Sequence, residues 1–135
     1  MLGDLDWHRF ANGDFEAPIR VCRLSPQLVA ILGANDDRLL FHPSVAAKIV
    51  FKHRLTPDKL QMLPLTIQFG SAFRDDSDGS LVFVYDDTVI TGKLFLAAVK
   101  TTGERHEIWL KSFYAIRNKD YERKRRRLTT IYIQQ

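Results

Sequence analysis

Apolar and polar positions along this chain follow two periods. Up to about residue 64, short apolar runs are joined by stretches with helical spacing; beyond it, apolar residues fall at strand spacing. Residues 1–17 mix acids, two glycines, Trp7, Phe10 and Phe15 with no committed period and are expected to form a loosely packed arm. Residues 19–24 suit a short strand, with Ile19 and Val21 on one face, although Arg20 and Arg23 interrupt the alternation. Ser25-Pro26 opens a short helix that Gly33 closes, since serine caps well and proline fits a first helical position. After the loop Asn35-Asp36-Asp37 and the apolar run Leu39-Leu40-Phe41, the segment His42-Pro43-Ser44 opens the clearest helix, 44–54. Thr56-Pro57-Asp58 opens another over 59–63, with Pro64 as its stop.

The second half predicts strands over 66–69, 81–85, 93–100 and 107–114, separated by turn residues at 74–79, 86–92 and 101–103. Strict alternation in the last of these puts Ile108, Leu110, Ser112 and Tyr114 on one face and Trp109, Lys111 and Phe113 on the other. Asn118 caps a basic helix over 119–127, with Asp120 and Glu122 early and arginines late, which suits the helix dipole. Residues 129–133 are β-prone. Helices first, then an antiparallel meander, then a basic C-terminal helix, make an α+β chain. Residues 1–38 read as an arm with a short helix, and 39–135 as the principal domain.

Composition adds exclusions. The chain has 135 residues, 45% hydrophobic and 27% charged, including nine Phe and two Trp, enough apolar surface to rule out a disordered or fibrous chain. Cys22 is the only cysteine, so internal disulfides and multi-cysteine zinc sites are excluded and a reducing, cytoplasmic setting is expected. The acidic start does not read as a signal peptide, and the longest apolar run, 94–99, is far short of a membrane span. His8, His42, His53 and His106 lack metal-ligand spacing, so no metal or cofactor is expected. The loop 74–79 only faintly resembles a calcium loop, with Arg74 at the first-ligand position, and reads better as a hairpin connection.

Charge is segregated. Residues 1–40 carry −2, 41–64 carry +3, 65–99 carry −3 and 100–135 carry +6, a pattern that favours one positive face. On helix 44–54, Val45, Ile49 and His53 form an apolar stripe that ends in the imidazole, with Lys48 and Lys52 one turn apart on the same edge. Partial burial and nearby cations would lower the pKa of His53 and leave a neutral imidazole fit to act as a general base. The same pattern also fits a packed histidine at a helix end beside two solvated lysines. Ser112 and Tyr114 offer two hydroxyls for a phosphate, or simply pair within a sheet. The run Arg123-Lys124-Arg125-Arg126-Arg127 repels itself and calls for a polyanion, with Tyr114 and Tyr121 nearby as stacking surfaces.

From residue 39 to 127 the order of these features resembles the phage-associated branch of the barnase–EndoU–colicin–RelE (BECR) nucleases. The resemblance rests on Leu40-Phe41-His42-Pro43-Ser44, on Lys48-Ile49-Val50-Phe51-Lys52-His53, on Leu60-Gln61-Met62-Leu63-Pro64, and on Ile108-Trp109-Leu110-Lys111-Ser112-Phe113-Tyr114. His42-Pro43 departs from the small residue often found before the helix. The resemblance implies N-terminal helices packed on a four-stranded antiparallel sheet. It implies metal-independent, toxin-like cleavage of RNA by 2′-hydroxyl transesterification to a 2′,3′-cyclic phosphate. His53 would then be the acid or base, Lys48 would stabilise charge, and Ser112 and Tyr114 would position the phosphate. Lys52, Arg54, Lys111, Arg117, Arg123, Lys124 and Arg126 would contact RNA, a transfer RNA being one such target. A bacterial host cytoplasm and an inhibitor or immunity protein would accompany such an activity. Two other functions fit the same residues: a nucleic-acid-binding module without catalysis, and a phage adaptor whose basic helix meets an acidic protein.

Overall fold

A computed structural model describes residues 4–104 and 106–134. Its elements in chain order are α1 (Asp4–Ala11), β1 (Ile19–Arg23), α2 (Pro26–Leu32), β2 (Arg38–Phe41), α3 (Pro43–His53), a 3-10 turn (Pro57–Gln61), α4 (Met62–Phe69), β3 (Ser71–Arg74), β4 (Leu81–Asp87), β5 (Lys93–Thr101), β6 (Ile108–Ile116), α5 (Asn118–Arg125) and β7 (Thr129–Tyr132). The α+β class holds. The sheet, however, has seven strands in the order β1-β2-β6-β5-β4-β3-β7, not four antiparallel ones. It is mixed, because β2 runs parallel to β6 while the other pairs are antiparallel. The expected strands at 81–85, 93–100 and 107–114 form its centre as β4, β5 and β6, and β3 stands in place of the one expected at 66–69. Beyond this centre, β2 pairs with the start of β6 at Ile108 and Trp109, β1 pairs with β2, and β7 pairs with β3.

The expected loose arm is instead part of the core, apart from residues 1–3, which lie outside the described residues. Trp7 and Phe10 of α1 are buried, and Phe10 meets Phe41 of β2 with ring centroids 5.0 Å apart at 64°, and Phe15 edge-on at 5.5 Å. Across the expected boundary at residue 38, β1 pairs with β2.

Residues 66–69 are helical, not extended, and Pro64 does not stop the helix. Pro64 lies in the first turn of α4, where its missing N–H has no helical partner to lose. Leu63, Pro64, Thr66 and Ile67 of that helix are buried, and the Thr66 hydroxyl donates to the Met62 carbonyl at 2.8 Å. Packing thus overrides the strand preference of Thr66 and Ile67. The real strand starts after Gly70, where a Cβ would stand 2.5 Å from the Thr66 carbonyl oxygen and 2.7 Å from that of Val84. Only glycine lets the helix end turn this closely into β3.

The strict alternation expected in β6 also fails. Ala98 of β5 faces Ser112, but Val99 faces Leu110, so Lys111 is an extra residue and the strand is bulged there. Phe113 therefore joins Ile108 and Leu110 in the main core, while Tyr114 and Ile116 pack on the other side, with Phe73, Val82, Val84, Leu94, Leu96 and Tyr121. The main core lies between one sheet face and α1 to α4. The second, smaller cluster lies under α5.

Candidate functional site

Two helix ends and one strand build the site. His42 caps α3: its Nδ1 accepts from the Ser44 amide at 3.1 Å, and Pro43 occupies the first turn. This gives His42-Pro43 a structural part. Ala46 and Ile49 hold α3 to the core, leaving Lys48, Phe51, Lys52 and His53 exposed. The helix ends at Arg54, whose φ of 53° is left-handed. His53 is exposed at the end of its stripe rather than partly buried there. Its ring stacks on Tyr114, with centroids 5.1 Å apart and planes 26° from parallel.

Tyr114 in turn lines a cleft of about 710 Å³ between the end of β6, α5 and the β3–β4 turn. One wall carries Arg117, Arg123, Lys124 and Arg127. These positions share one side of the α5 segment at helical spacing, while Tyr121 turns to the sheet and is buried against Phe73. The opposing wall holds Asp75 and Ser77, and Asp120 stands beside Arg117, accepting from its Nε at 3.1 Å. Asp75 is committed to its own turn, accepting from the Ser77 amide at 3.0 Å and hydroxyl at 2.6 Å. Four cations against two carboxylates leave the cleft positive, suited to an anion wide enough to touch several guanidinium groups.

Of the expected site residues, Tyr114, Arg117, Arg123 and Lys124 line the cleft, and His53 reaches it only through its stack on Tyr114. The structure adds Asp75, Ser77 and Asp120, which residue types alone did not single out, and Arg127 from the basic run. Arg127 was legible in principle, lying three residues beyond Lys124 and seven beyond Asp120 on the same helical side. Arg126 does not line the cleft. Lys48, Lys52 and Arg54 are exposed on and after α3, outside the cleft walls. Ser112 shares the α5 side of the sheet with Tyr114, because of the bulge, but is not among the cleft-lining residues.

Lys111 is already occupied. Its ammonium donates to Asp78 at 2.8 Å, and Asp78 also accepts from the Ser80 amide and hydroxyl. The lysine first, and Ser80 after it, hold the Asp78 carboxyl far below the usual carboxylate range. Together with the Thr129 hydroxyl donating to Asp76 at 2.7 Å, these bonds pin the β3–β4 turn as a hairpin connection. Elsewhere, burial pushes the Cys22 thiol up to about 11, which leaves it a poor nucleophile. Among the described residues, no three His, Cys, Asp or Glu side chains cluster as a metal site would, and no helix is long and apolar enough to cross a membrane. No protein-family model, curated protein or solved structure matches the chain.

Proposed function

We propose that this chain is a toxin-like endoribonuclease of the BECR type, cleaving RNA by internal transesterification without a metal. The observation that carries the reading is the cationic cleft of Arg117, Arg123, Lys124 and Arg127 with the His53–Tyr114 stack at its rim. The residues 39–127 that resemble the family, and the antiparallel run β6-β5-β4-β3, support it. In this chemistry a base takes the 2′-hydroxyl proton, that oxygen attacks the adjacent phosphorus, and the 5′-oxygen leaves with a proton from an acid. The products are a 2′,3′-cyclic phosphate and a free 5′-hydroxyl. His53 is the acid–base group. The four cleft cations stabilise the charge that builds on the phosphate oxygens, the contribution that usually dominates such sites. Tyr114, which lines the cleft, stacks on the face of the imidazole.

The test is cleavage of labelled total RNA with and without EDTA, beside His53→Ala. Cleavage that persists in EDTA, leaves cyclic phosphate ends and falls about 10²–10⁴-fold in the variant supports the proposal. Wild-type rates in the variant sink it. A second reading, RNA binding without cleavage, is favoured by one observation: among the described residues His53 is held by a stack and by no hydrogen bond that would orient its ring. Intact RNA retained in a salt-sensitive way would select that reading.

A further inference from the structure

Phe51 is 90% exposed, and the core does not use it: α3 is anchored through Ala46 and Ile49 on its other side. The ring stands one turn after Lys48 and next to Lys52, both exposed. Between Asp37 and Asp58 the chain has no acidic residue, while Arg38, Lys48, Lys52 and Arg54 all fall there. A bare aromatic ring beside two exposed lysines matches a partner that is flat and apolar in one part and anionic in the next. A nucleobase joined to its phosphates has that character. An acidic protein surface would satisfy the lysines and leave the ring in water.

The same helix end connects to the cleft. Two residues beyond Phe51, His53 stacks on Tyr114, and Tyr114 lines the cleft. A strand leaving the cleft past that stack arrives at the end of α3. We propose that the exposed face of α3 is a second nucleic-acid contact, in which Phe51 stacks an unpaired base and Lys48 and Lys52 hold the flanking phosphates. This rests on RNA being the ligand of the cleft, and it sets the substrate class: single-stranded RNA, or an unpaired loop. In a duplex both faces of each base are already covered, so Phe51 has nothing to stack on.

The test measures binding of 2′-O-methylated oligouridylate, which lacks the attacking hydroxyl and so survives, and of its duplex with oligoadenylate, by fluorescence anisotropy of a labelled strand. Phe51→Ala is expected to weaken the single strand by about 5- to 150-fold and to leave the duplex unchanged, as the loss of one stacked base implies. Phe51→Trp is expected to keep the affinity, with an emission quenched by the single strand beyond any change seen in wild type. Wild-type affinity in Phe51→Ala, equal losses for both ligands, or tryptophan emission indifferent to the strand would each overturn the proposal. So would Phe51-dependent sedimentation with phosphatidylglycerol vesicles alongside Phe51-independent RNA binding, since the face would then belong to an anionic membrane. A wild type that binds oligouridylate through Phe51 but cleaves no RNA supports this contact and defeats the catalytic reading. A wild type that binds no RNA defeats both.

Discussion

Helices α1 to α4 cover one face of the sheet, burying Trp7, Phe10, Phe41, Phe83, Phe95 and Phe113 between them and the strands. Helix α5 covers the other face with one buried side chain of its own, Tyr121, joined by Leu128 just beyond it. The first region is redundant. Phe41 touches both Trp7 and Phe10, and Phe95 stacks on Phe113 with centroids 5.9 Å apart. In the second, helix α5 is itself polar almost throughout and carries the charge of the site over a small apolar cluster. The contrast separates two tasks. The thick face makes the fold stable, and the thin face presents cations that repel each other and therefore contributes little cohesion. Charge concentrated for a ligand is tolerated because most of the folding energy lies elsewhere.

Paired truncations test that division with the largest expected effect. Phe41→Ala should cost about 3–5 kcal/mol of unfolding free energy, measured by denaturant titration. Tyr121→Ala should cost less globally, and should raise hydrogen exchange in α5 while the amides of β4 and β5 stay protected. Equal global losses, or exchange rising evenly over the sheet, would mean that the two faces form one cooperative unit.

Within the thin face, the side on which an arginine stands should matter more than its charge. Arg127→Ala should weaken single-stranded RNA binding and lower the slope of log affinity against log salt by about 0.7, one phosphate contact. Arg126→Ala, one residue away and outside the cleft wall, should leave the slope nearly as it is. Matching slopes in the two variants would show that the helix acts as a diffuse cloud of charge.

The smallest effect concerns the turn that faces α5. Asp78 titrates lower in the folded chain than in the unfolded one, so its bond to Lys111 stabilises the fold above the ordinary carboxylate range and fades as pH falls through the lowered value. Asp78→Asn should therefore cost about 0.2–1 kcal/mol at neutral pH, the range of a partly exposed pair, with the gap to wild type closing in acid. A gap that stays constant from neutral pH to well below pH 3 would remove the ion pair as its cause.

Much of the fold was legible where local chemistry decides it. Ser25-Pro26 and Gly33 bound α2, His42-Pro43-Ser44 opens α3, and β4 and β5 stand where apolar runs between turn residues put them. Legibility failed where distant contacts decide. Trp7, Phe10 and Ala11 lie at i, i+3 and i+4, a helical stripe obscured by the glycines around it, and its value depends on Phe41 far along the chain. Thr66 and Ile67 carry strand preference but lie in a helix because four residues of α4 pack inward. The cations of the site could be read from their run, whereas Asp75 and Asp120 enter only once the β3–β4 turn and α5 flank one cleft.

Lys111, the extra residue in β6, has a consequence for how this chain can change over generations. Because the bulge already absorbs it, a strand shortened by that residue would alternate strictly and still put Ile108, Leu110 and Phe113 in the main core, with Tyr114 on the side of α5. The loss would remove the bulge itself and the Lys111–Asp78 bond that helps pin the β3–β4 turn. Descendants of this chain can thus lose the codon for position 111 and keep every other side chain of β6 on its present face.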